Sequence, residues 1–579
     1  MHRRLACYLA FMQKLLLCFL IAVSAFAQSG PPQSTHEQID RDLLDVSVDR
    51  LHQLYRDHRY SVTQVVQWHL DRIARYNGIY RAVQTVNDKS ALAEAAREDA
   101  EAQRTGFSPG PLWGVPVVTK ANTSIRGLVT TDGWRGYMIP GHELIAPRDA
   151  TIVSRLRKAG AIIIGVTNMP DFAASDTNRS TAFGRTGNAY DVRFSPGGSS
   201  GGTVTSVTSN FAVLGNGTDT GNSIRMPVAT SNLIGIFPTR GLVSIAGIAP
   251  LDWNLDNTGP IARTVADAAL ALTVMAGEDP LDPATAGSKS KAQAAPYTQY
   301  LKSGSLKGRR FGVPAFILDG GNTPFQGACP NASPEQIAQA KKDAFLPLKP
   351  ETRAMFMKAV EEIRAAGATV LIQPDILSDA FVDEAAHICT LPYIREGTEK
   401  FLANFGPAEY HSTAEYEKAV GNPLPAVIVG GGQTGMSNAP DIQQANLETD
   451  PNAEVTLLGP RRKVQQMYDD ALEHLHLDGY LYPAIQMPPP DETMPQDGHL
   501  SDGPHSATAW VNMLGVPAIS IPAGFYESGL PFGIEISTRK WRDGDLISWA
   551  YDYEQKTHPR KPPVLVEGGL LSHATQTVE

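Results

Sequence analysis

Three short segments of the chain carry residues that together could transfer an acyl group. Lys120 ends the apolar run Gly114-Val115-Pro116-Val117-Val118-Thr119-Lys120. Ser199 lies in Gly197-Gly198-Ser199-Ser200-Gly201-Gly202, and Ser223 lies in Gly217-Thr218-Asp219-Thr220-Gly221-Asn222-Ser223-Ile224-Arg225-Met226-Pro227. Ser199 follows Lys120 by 79 residues and precedes Ser223 by 24. The three side chains could supply a base, a proton relay and a nucleophile for cleaving an amide.

A serine hydroxyl becomes a good nucleophile only when a neighbouring base takes its proton. The three segments contain no histidine, so Lys120 is the candidate base. Its place after a run of Val and Pro predicts a site of low dielectric, where burial favours the neutral amine over the ammonium. Ser199 could bridge Lys120 and Ser223, because a hydroxyl both donates and accepts a hydrogen bond. Run in reverse, this relay would protonate a departing amine.

The residues before the candidate nucleophile predict an oxyanion hole. Consecutive backbone N–H groups of Thr220, Gly221, Asn222 and Ser223 could point at one spot, where such a donor typically lowers the barrier by about 3–4 kcal/mol. The glycines at 197, 198, 201 and 202 would let backbone approach backbone or substrate closely.

Each motif has a simpler explanation when taken alone. A serine in a glycine-rich turn is usually only a turn residue, and a lysine after a strand is usually solvated. Residues 197–202 could form a linker or a loop around a phosphate, but they lack the Gly-Lys-Ser/Thr ending of a P-loop. Ser223 does not lie in a hydrolase elbow, because the residue two positions later is Arg225 and not Gly. The joint arrangement favours the catalytic interpretation.

The three segments resemble the Lys-Ser-Ser apparatus of the amidase signature family. The resemblance runs from about residue 50 to about 555 and is densest over residues 110–270. Further matching segments are Gly165-Val166-Thr167-Asn168-Met169-Pro170, Gly184-Arg185-Thr186-Gly187-Asn188 and Gly259-Pro260-Ile261-Ala262-Arg263-Thr264.

The resemblance implies an α/β fold, an α/β/α sandwich whose mixed sheet has about eleven strands and helices on both faces. It implies Lys120 as the base, Ser199 as a bridging serine in a cis peptide, and Ser223 as the nucleophile that forms an acyl-enzyme. It implies no metal and no organic cofactor. Further family positions that brace the site are matched by Ser200, Asp219 and Arg225.

Two residues depart from the family pattern. The residue after the lysine is commonly Asp, but here it is Ala121. The residue before the nucleophile is commonly Gly, but here it is Asn222. Asn still supplies its N–H and tolerates positive φ, so we expect an intact oxyanion hole with a narrower acyl pocket.

Alternating short apolar strands and helices along the chain predict layered α/β architecture. Buried strands are predicted over 115–119, 161–166, 211–214, 310–313 and 512–525. Helices are predicted over 61–76, 88–104, 149–158, 203–209, 351–366 and 543–555, with Asp149 as a capping residue. The predicted parts of the chain are a signal peptide (1–27), a helical lead-in (28–107), a catalytic domain (108–560) with loop insertions near 280–300 and 403–450, and a tail (561–579).

The first 27 residues are typical of a secretory signal peptide. Arg3, Arg4 and Lys14 precede an apolar run of about 12 residues, which is too short to span a bilayer, and the pattern Ala25-Phe26-Ala27 is typical of a cleavage site. Its removal leaves 47 basic against 60 acidic residues, a net charge of −13. Such an acidic surface argues against nucleic acid or an anionic membrane as partner. We therefore expect an exported protein, periplasmic or secreted, without a stable membrane anchor.

Beyond the signal segment the chain has two cysteines, Cys329 and Cys389. An export compartment permits a disulfide between them, but the sequence leaves that pairing open. No Cys/His pattern for zinc is present, and the pair His474 and His476 is more typical of surface or packing histidines.

The sequence thus predicts an exported serine hydrolase that cleaves an amide of a small molecule or peptide. One alternative is the amidotransferase A-type subunit, which the resemblance also covers and which belongs in the cytoplasm with a partner. A second is a non-catalytic binding protein that keeps the fold. Cleavage of esters or carbamates would be a variant of the same acyl chemistry.

Overall fold

The fold was analysed in a computed structural model, which describes residues 36–563 apart from 322–328, 330–332, 346, 431–441, 495–500 and 502. The predicted signal peptide (1–27) and most of the predicted tail (561–579) lie outside the described residues. The helical lead-in and the body of the predicted catalytic domain lie within them.

Among the described residues, eleven strands form one mixed sheet and two more form a separate pair. The sheet contains β1 Val83–Val86, β2 Pro116–Lys120, β3 Ile162–Thr167, β6 Leu214–Asp219, β7 Ile234–Phe237, β8 Asn257–Ala262, β9 Arg310–Pro314, β10 Thr369–Gln373, β11 Gly479–Pro483, β12 Ala518–Phe525 and β13 Pro531–Ser537; the separate pair is β4 Arg179–Ser180 and β5 Gly184–Arg185. The order across the large sheet is β1-β3-β2-β6-β8-β7-β12-β13-β11-β9-β10. This confirms the mixed sheet that the resemblance implied.

The neighbours β3, β2 and β6 run parallel, while β6 and β8 run antiparallel. All residues of β3 and β6 are buried, so both faces of this part of the sheet are covered, as expected for a strand such as β3 that is rich in Ile and Val. Parallel strands present their carboxyl ends at one edge of the sheet. Lys120 ends β2 and Asp219 ends β6, so two candidate site residues meet at that edge.

Helices of widely varying length surround the sheet. The α-helices are His36–Leu43, Val48–Arg56, Val62–Tyr80, Asp88–Ala102, Thr151–Lys158, Gly201–Thr208, Arg225–Ala229, Val265–Met275, Ser288–Lys291, Ala315–Leu318, Pro334–Asp343, Pro350–Ala365, Asp379–Ala385, Ile394–Phe405, Thr413–Val420, Ala426–Val429, Gly459–His474, Trp510–Leu514 and Asp543–Thr557. Short 3-10 turns lie at Arg135–Met138, Asp171–Ala173, Pro283–Thr285, Tyr297–Tyr300 and Leu391–Tyr393, and a π-helical turn at Glu454–Leu458.

The helix Val62–Tyr80 shows how the lead-in is encoded. Ser61 accepts a hydrogen bond from the backbone of Gln64, whose side chain bonds back to Ser61, a reciprocal capping box. The helix does not stop at Asn77-Gly78 as predicted but continues to Tyr80, and Arg81 ends it in the left-handed conformation.

The predictions for the strand over 211–214 and for Asp149 as a capping residue were also wrong. The strand expected over 211–214 lies instead at Leu214–Asp219, where Gly215 and Gly217 conceal the strand pattern because glycine is a poor strand former. Asp149 does not cap the helix Thr151–Lys158, since Ala150 occupies the cap position without a side-chain bond. The Asp149 carboxylate instead accepts a hydrogen bond from the backbone of Arg126.

The segment 403–450, expected to be loops over the core, contains two short helices, Thr413–Val420 and Ala426–Val429. The first begins where Ser412 accepts a hydrogen bond from the Glu415 backbone and ends at Gly421 in the left-handed conformation. Likewise, the segment 512–525 is not one strand, because its start belongs to the helix Trp510–Leu514.

Cys329 and Cys389 are joined by a disulfide bond. Within the described ranges, no helix is both long and apolar enough to cross a bilayer. In the same ranges, no group of three or more His, Cys, Asp or Glu side chains is arranged to hold a metal ion.

Candidate active site

Lys120 lies at the centre of the site, at the carboxyl end of β2, and none of its surface is exposed. Its Nζ atom lies 2.6 Å from Ser199 Oγ and 3.2 Å from Ser200 Oγ. From the neighbouring strand β6, the Thr218 hydroxyl lies 2.8 Å from Nζ and the Thr218 carbonyl 3.2 Å. The amine is thus surrounded by hydroxyl and carbonyl oxygens.

Burial lowers the pKa of Lys120 to about 7, against an ordinary value of 10.5, even though the carboxylates of Asp132, Asp219 and Asp256 act in the opposite direction. A neutral amine has two N–H donors and one lone pair. The Thr218 carbonyl can only accept, so the lone pair is free to face a hydroxyl donor. Nζ of the ammonium donates to Ser199 Oγ at 2.6 Å, and in the neutral form the Ser199 hydroxyl can donate to the lone pair across the same contact.

Ser199 and Ser200 lie in the glycine-rich loop that leads into the helix Gly201–Thr208. The Gly198–Ser199 peptide bond is cis, as the resemblance implied. A Cβ atom on Gly198 would lie 2.1 Å from the carbonyl oxygen of Thr177, so only glycine fits. The Asn178 side chain accepts a hydrogen bond from the Gly201 backbone and fixes the start of the helix.

Ser223 lies on the loop between β6 and the helix Arg225–Ala229, with 5% of its surface exposed. In the part of the chain that the structure describes, the Ser223 hydroxyl makes no hydrogen bond to another protein group. In the same part of the chain, the backbone N–H groups of Gly221, Asn222 and Ser223 donate no hydrogen bond to a protein acceptor. The structure therefore brings Lys120 and Ser199 together, and among the described residues it leaves the Ser223 hydroxyl and these three donors without a protein partner.

Asp219 and Arg225 hold the two ends of the Ser223 loop. The Asp219 carboxylate accepts hydrogen bonds from the backbone of Ile224 at 2.9 Å and from Arg225 Nε at 3.1 Å. Burial opposes ionisation of Asp219, but the Arg225 guanidinium and these hydrogen bonds hold its pKa below the ordinary value. Arg225 Nη2 also donates to the Gly221 carbonyl at 2.7 Å, which fixes the middle of the loop.

The far side of Arg225 is held by residues from late in the chain. Arg225 Nη1 lies 2.8 Å from Glu535 Oε1 and 2.7 Å from Thr508 Oγ1, and Nη2 lies 2.5 Å from Asn512 Oδ1. Asn512 also donates to the Asp219 carboxylate at 2.9 Å. Sequence reasoning missed these three residues, since nothing local marks them.

Two further acids contact the loop. Asp256 accepts a hydrogen bond from the Thr220 hydroxyl at 2.5 Å. Asp176 accepts one from the Asn222 side-chain amide at 3.1 Å, and its other oxygen lies 3.1 Å from His505 Nδ1. Thr218, Asp176 and His505 also had no signal in the sequence.

The chain is similar to known proteins of one family. The model of the Amidase family matches residues 64–333 and 324–547. The solved peptide amidase PAM, in complex with the competitive inhibitor chymostatin, is 30% identical; the match covers 90% of this chain and 99% of that chain, with a TM-score of 0.70. The native peptide amidase of Stenotrophomonas maltophilia is 29% identical over 90% of this chain and 98% of that chain, with a TM-score of 0.68.

A relative of another kind is the A-type subunit of the glutamyl-tRNA(Gln) amidotransferase from Alkaliphilus metalliredigens. It is 31% identical over 511 residues, which cover 87% of this chain and 94% of that protein.

Proposed function

The chain belongs to the amidase family, and we propose that it is an enzyme that hydrolyses a carbon–nitrogen amide bond through an acyl-enzyme on Ser223. The observation that carries the proposal is the 2.6 Å contact between Lys120 Nζ and Ser199 Oγ in a site without solvent exposure. A lysine whose pKa is near 7 is a base at neutral pH, and a hydroxyl at this distance can pass it a proton.

In the acylation step the Ser223 oxygen attacks the carbonyl carbon of the amide. The Ser223 proton moves to Ser199, whose own proton moves to Lys120. The Ser199–Ser223 contact in this relay forms with substrate in place, because catalytic hydrogen bonds often tighten only in the reacting complex.

The carbonyl oxygen gains negative charge as the new bond forms. The backbone N–H groups of Gly221, Asn222 and Ser223 are the proposed donors to it, with Thr220 held alongside by Asp256. A hydrogen-bond donor of this kind stabilises the oxyanion most where water is excluded, because electrostatic stabilisation grows as the dielectric constant falls.

Collapse of the tetrahedral intermediate breaks the carbon–nitrogen bond. The proton on Lys120 returns through Ser199 to the leaving nitrogen, which departs as a neutral amine or ammonia. Water then attacks the acyl-enzyme with the same relay as base, and Ser223 regains its proton.

We propose amides of peptides or of small carboxylic acids as the substrate class, because two similar structures are peptide amidases. The test is a panel of C-terminally amidated peptides, aryl amides and aliphatic amides, with release of ammonia or amine as the readout. The Ser223→Ala variant is expected to lose turnover by at least about 10⁴-fold. Substantial turnover by a folded Ser223→Ala variant would refute the nucleophile.

A second candidate function is that of an amidotransferase subunit, which the relative from Alkaliphilus metalliredigens favours by its name. Such a role would require other subunits, whereas a hydrolase acts alone. Amide hydrolysis by the purified chain supports the first proposal. Activity that appears only with added subunits and a glutamine donor would support the second.

We also propose that the chain is exported and cleaved near Ala27. The charged and apolar pattern of residues 1–27 supports export, and so does the Cys329–Cys389 disulfide, because such bonds persist in oxidising compartments. Amino-terminal sequencing of the protein from the periplasm or medium of the expressing cell should begin at Gln28. An intact amino terminus on protein that stays in the cytoplasm would contradict export.

A further inference from the structure

Asp132 is a buried acid that the proposed mechanism does not use. Only 1% of its surface is exposed, and among the described residues no donor reaches its Oδ1 atom. A buried carboxyl oxygen that accepts no hydrogen bond is costly, so the presence of Asp132 here needs a reason.

The backbone ties Asp132 to the strand end that carries the base. The Asp132 N–H donates to the carbonyl of Ala121 at 3.0 Å, and Ala121 directly follows Lys120. The Asp132 carbonyl accepts from the Phe172 N–H at 2.8 Å, which holds the residue from the other side. Asp132 also has a φ of 49°, a left-handed conformation that non-glycine residues seldom adopt. The residue is therefore held firmly beside position 121, where the family commonly has an aspartate.

We propose that Asp132 is a positioning residue for Lys120: its carboxylate takes the place of the acid missing at position 121 and balances the ammonium that forms when Lys120 accepts a proton. This role rests on the proposed function, since it matters only if Lys120 is the base.

The charges around the pair support this assignment. Lys120 is faced by Asp132, Asp219 and Asp256, and Asp132 has the largest effect among these carboxylates. Asp219 already pairs with Arg225, and Asp256 accepts from Thr220, so both have other partners.

Asp132 itself is faced by Lys120, Asp256 and Asp171, and Tyr137 lies near it. Burial raises the pKa of Asp132 well above its ordinary value, and Lys120 opposes that rise. Lys120 and Asp132 therefore each favour the charged form of the other, so the Asp132 carboxyl group ionises more readily when Lys120 is an ammonium.

The test is the Asp132→Asn variant of the mature protein. The rate of Ser223 modification by an alkyl fluorophosphonate is measured from pH 5 to pH 9, a readout that needs no known substrate. Loss of the carboxylate should lower the pKa of Lys120. The acid limb of the profile of modification rate against pH should therefore move to lower pH by about one unit. The rate at high pH should fall about tenfold, because a weaker base accepts the proton less readily.

A purely structural role predicts a different result. An amide in place of a structural carboxylate would lower the melting temperature and leave the acid limb where it is, which would overturn the proposal. We expect the melting temperature of Asp132→Asn to stay close to that of the wild type, because Asn keeps the shape of the residue and Lys120, whose pKa is about 7, can remain neutral in the variant. The matched control is Asp171→Asn, which removes a neighbouring carboxylate that does not face Lys120 and should leave the limb in place.

The Ala121→Asp, Asp132→Ala double variant carries the test if Asp132→Asn does not fold. If the acid limb of its pH profile lies at the wild-type pH, the proposal is supported. If that limb stays at lower pH, as in Asp132→Asn, the proposal is overturned. Failure of the wild-type protein to react at any pH would instead refute the proposed function, and this role with it.

Discussion

The guanidinium of Arg225 and the carboxylate of Asp219 form an ion pair in which neither side chain is exposed, with Nε 3.1 Å from Oδ2. The pair spans the loop that carries Ser223. Arg225 also reaches Glu535 at 2.8 Å, so one cation serves two buried acids. The position of the proposed nucleophile thus depends on a charge network contributed by both ends of the catalytic region.

Replacing Arg225 with Leu should destabilise the protein by about 3–5 kcal/mol, because Asp219 and Glu535 would remain buried without their cation. Denaturant unfolding measures the change. The matched control is Arg193→Leu, which removes the cation of the Arg193–Asp191 pair, where the two side chains are 48% and 28% exposed. That change should cost less than about 1 kcal/mol. Equal losses for the two variants would contradict the network.

The dependence of kcat/KM on pH should report Lys120. Its pKa is about 7, and only the neutral amine accepts a proton, so kcat/KM should rise tenfold per pH unit below about pH 7 and level off above it. The measurement covers pH 5 to pH 9 with an uncharged amide. A profile that is flat through pH 7 would show that Lys120 is not the base.

Asn222 should limit the size of the acyl group. Its side chain is held by Asp176 at 3.1 Å, so we expect it to narrow the acyl pocket in a fixed way. The Asn222→Gly variant should raise kcat/KM for bulky acyl amides about tenfold relative to small ones. Asp176→Ala, which releases Asn222 without removing it, should give a smaller gain. If Asn222→Gly leaves the ratio of kcat/KM for bulky and small acyl amides unchanged, the acyl group does not bind beside Asn222 and the prediction is wrong.

The disulfide should contribute to stability and not to chemistry. It joins cysteines 60 residues apart, and closing such a loop restricts the unfolded chain. The Cys329→Ser, Cys389→Ser double variant should lose about 2–4 kcal/mol of unfolding free energy, with kcat unchanged at a temperature where it is folded. The wild-type protein unfolded under reducing conditions should match the variant. A double variant with the same unfolding free energy as the oxidised wild-type protein would contradict the prediction.

The local features of the site could be predicted from the sequence. Lys120 ends an apolar run that forms a buried strand, and Ser199 lies in a loop whose glycines mark close packing. The family resemblance supplied the large mixed sheet and the bracing roles of Asp219 and Arg225. These features are encoded in segments of a few residues, so they can be read without the fold.

The remaining parts depend on contacts across the chain. Thr508 and Asn512 contact Arg225 from 283 and 287 residues away, and no local pattern marks them. The strand Leu214–Asp219 was misplaced because glycine at 217 weakens its pattern, yet a Cβ there would lie 2.9 Å from Ser200 Oγ. Close packing at the site therefore removed the signal that a strand normally gives.

The central claim is that Ser223 is an activated nucleophile. Intact mass of the mature protein after treatment with a fluorophosphonate tests it most directly, alongside Ser223→Ala. We expect one phosphonyl adduct on the wild-type protein, formed with loss of fluoride, and none on the variant. A folded wild-type protein without an adduct, or an adduct that persists in Ser223→Ala, would contradict it.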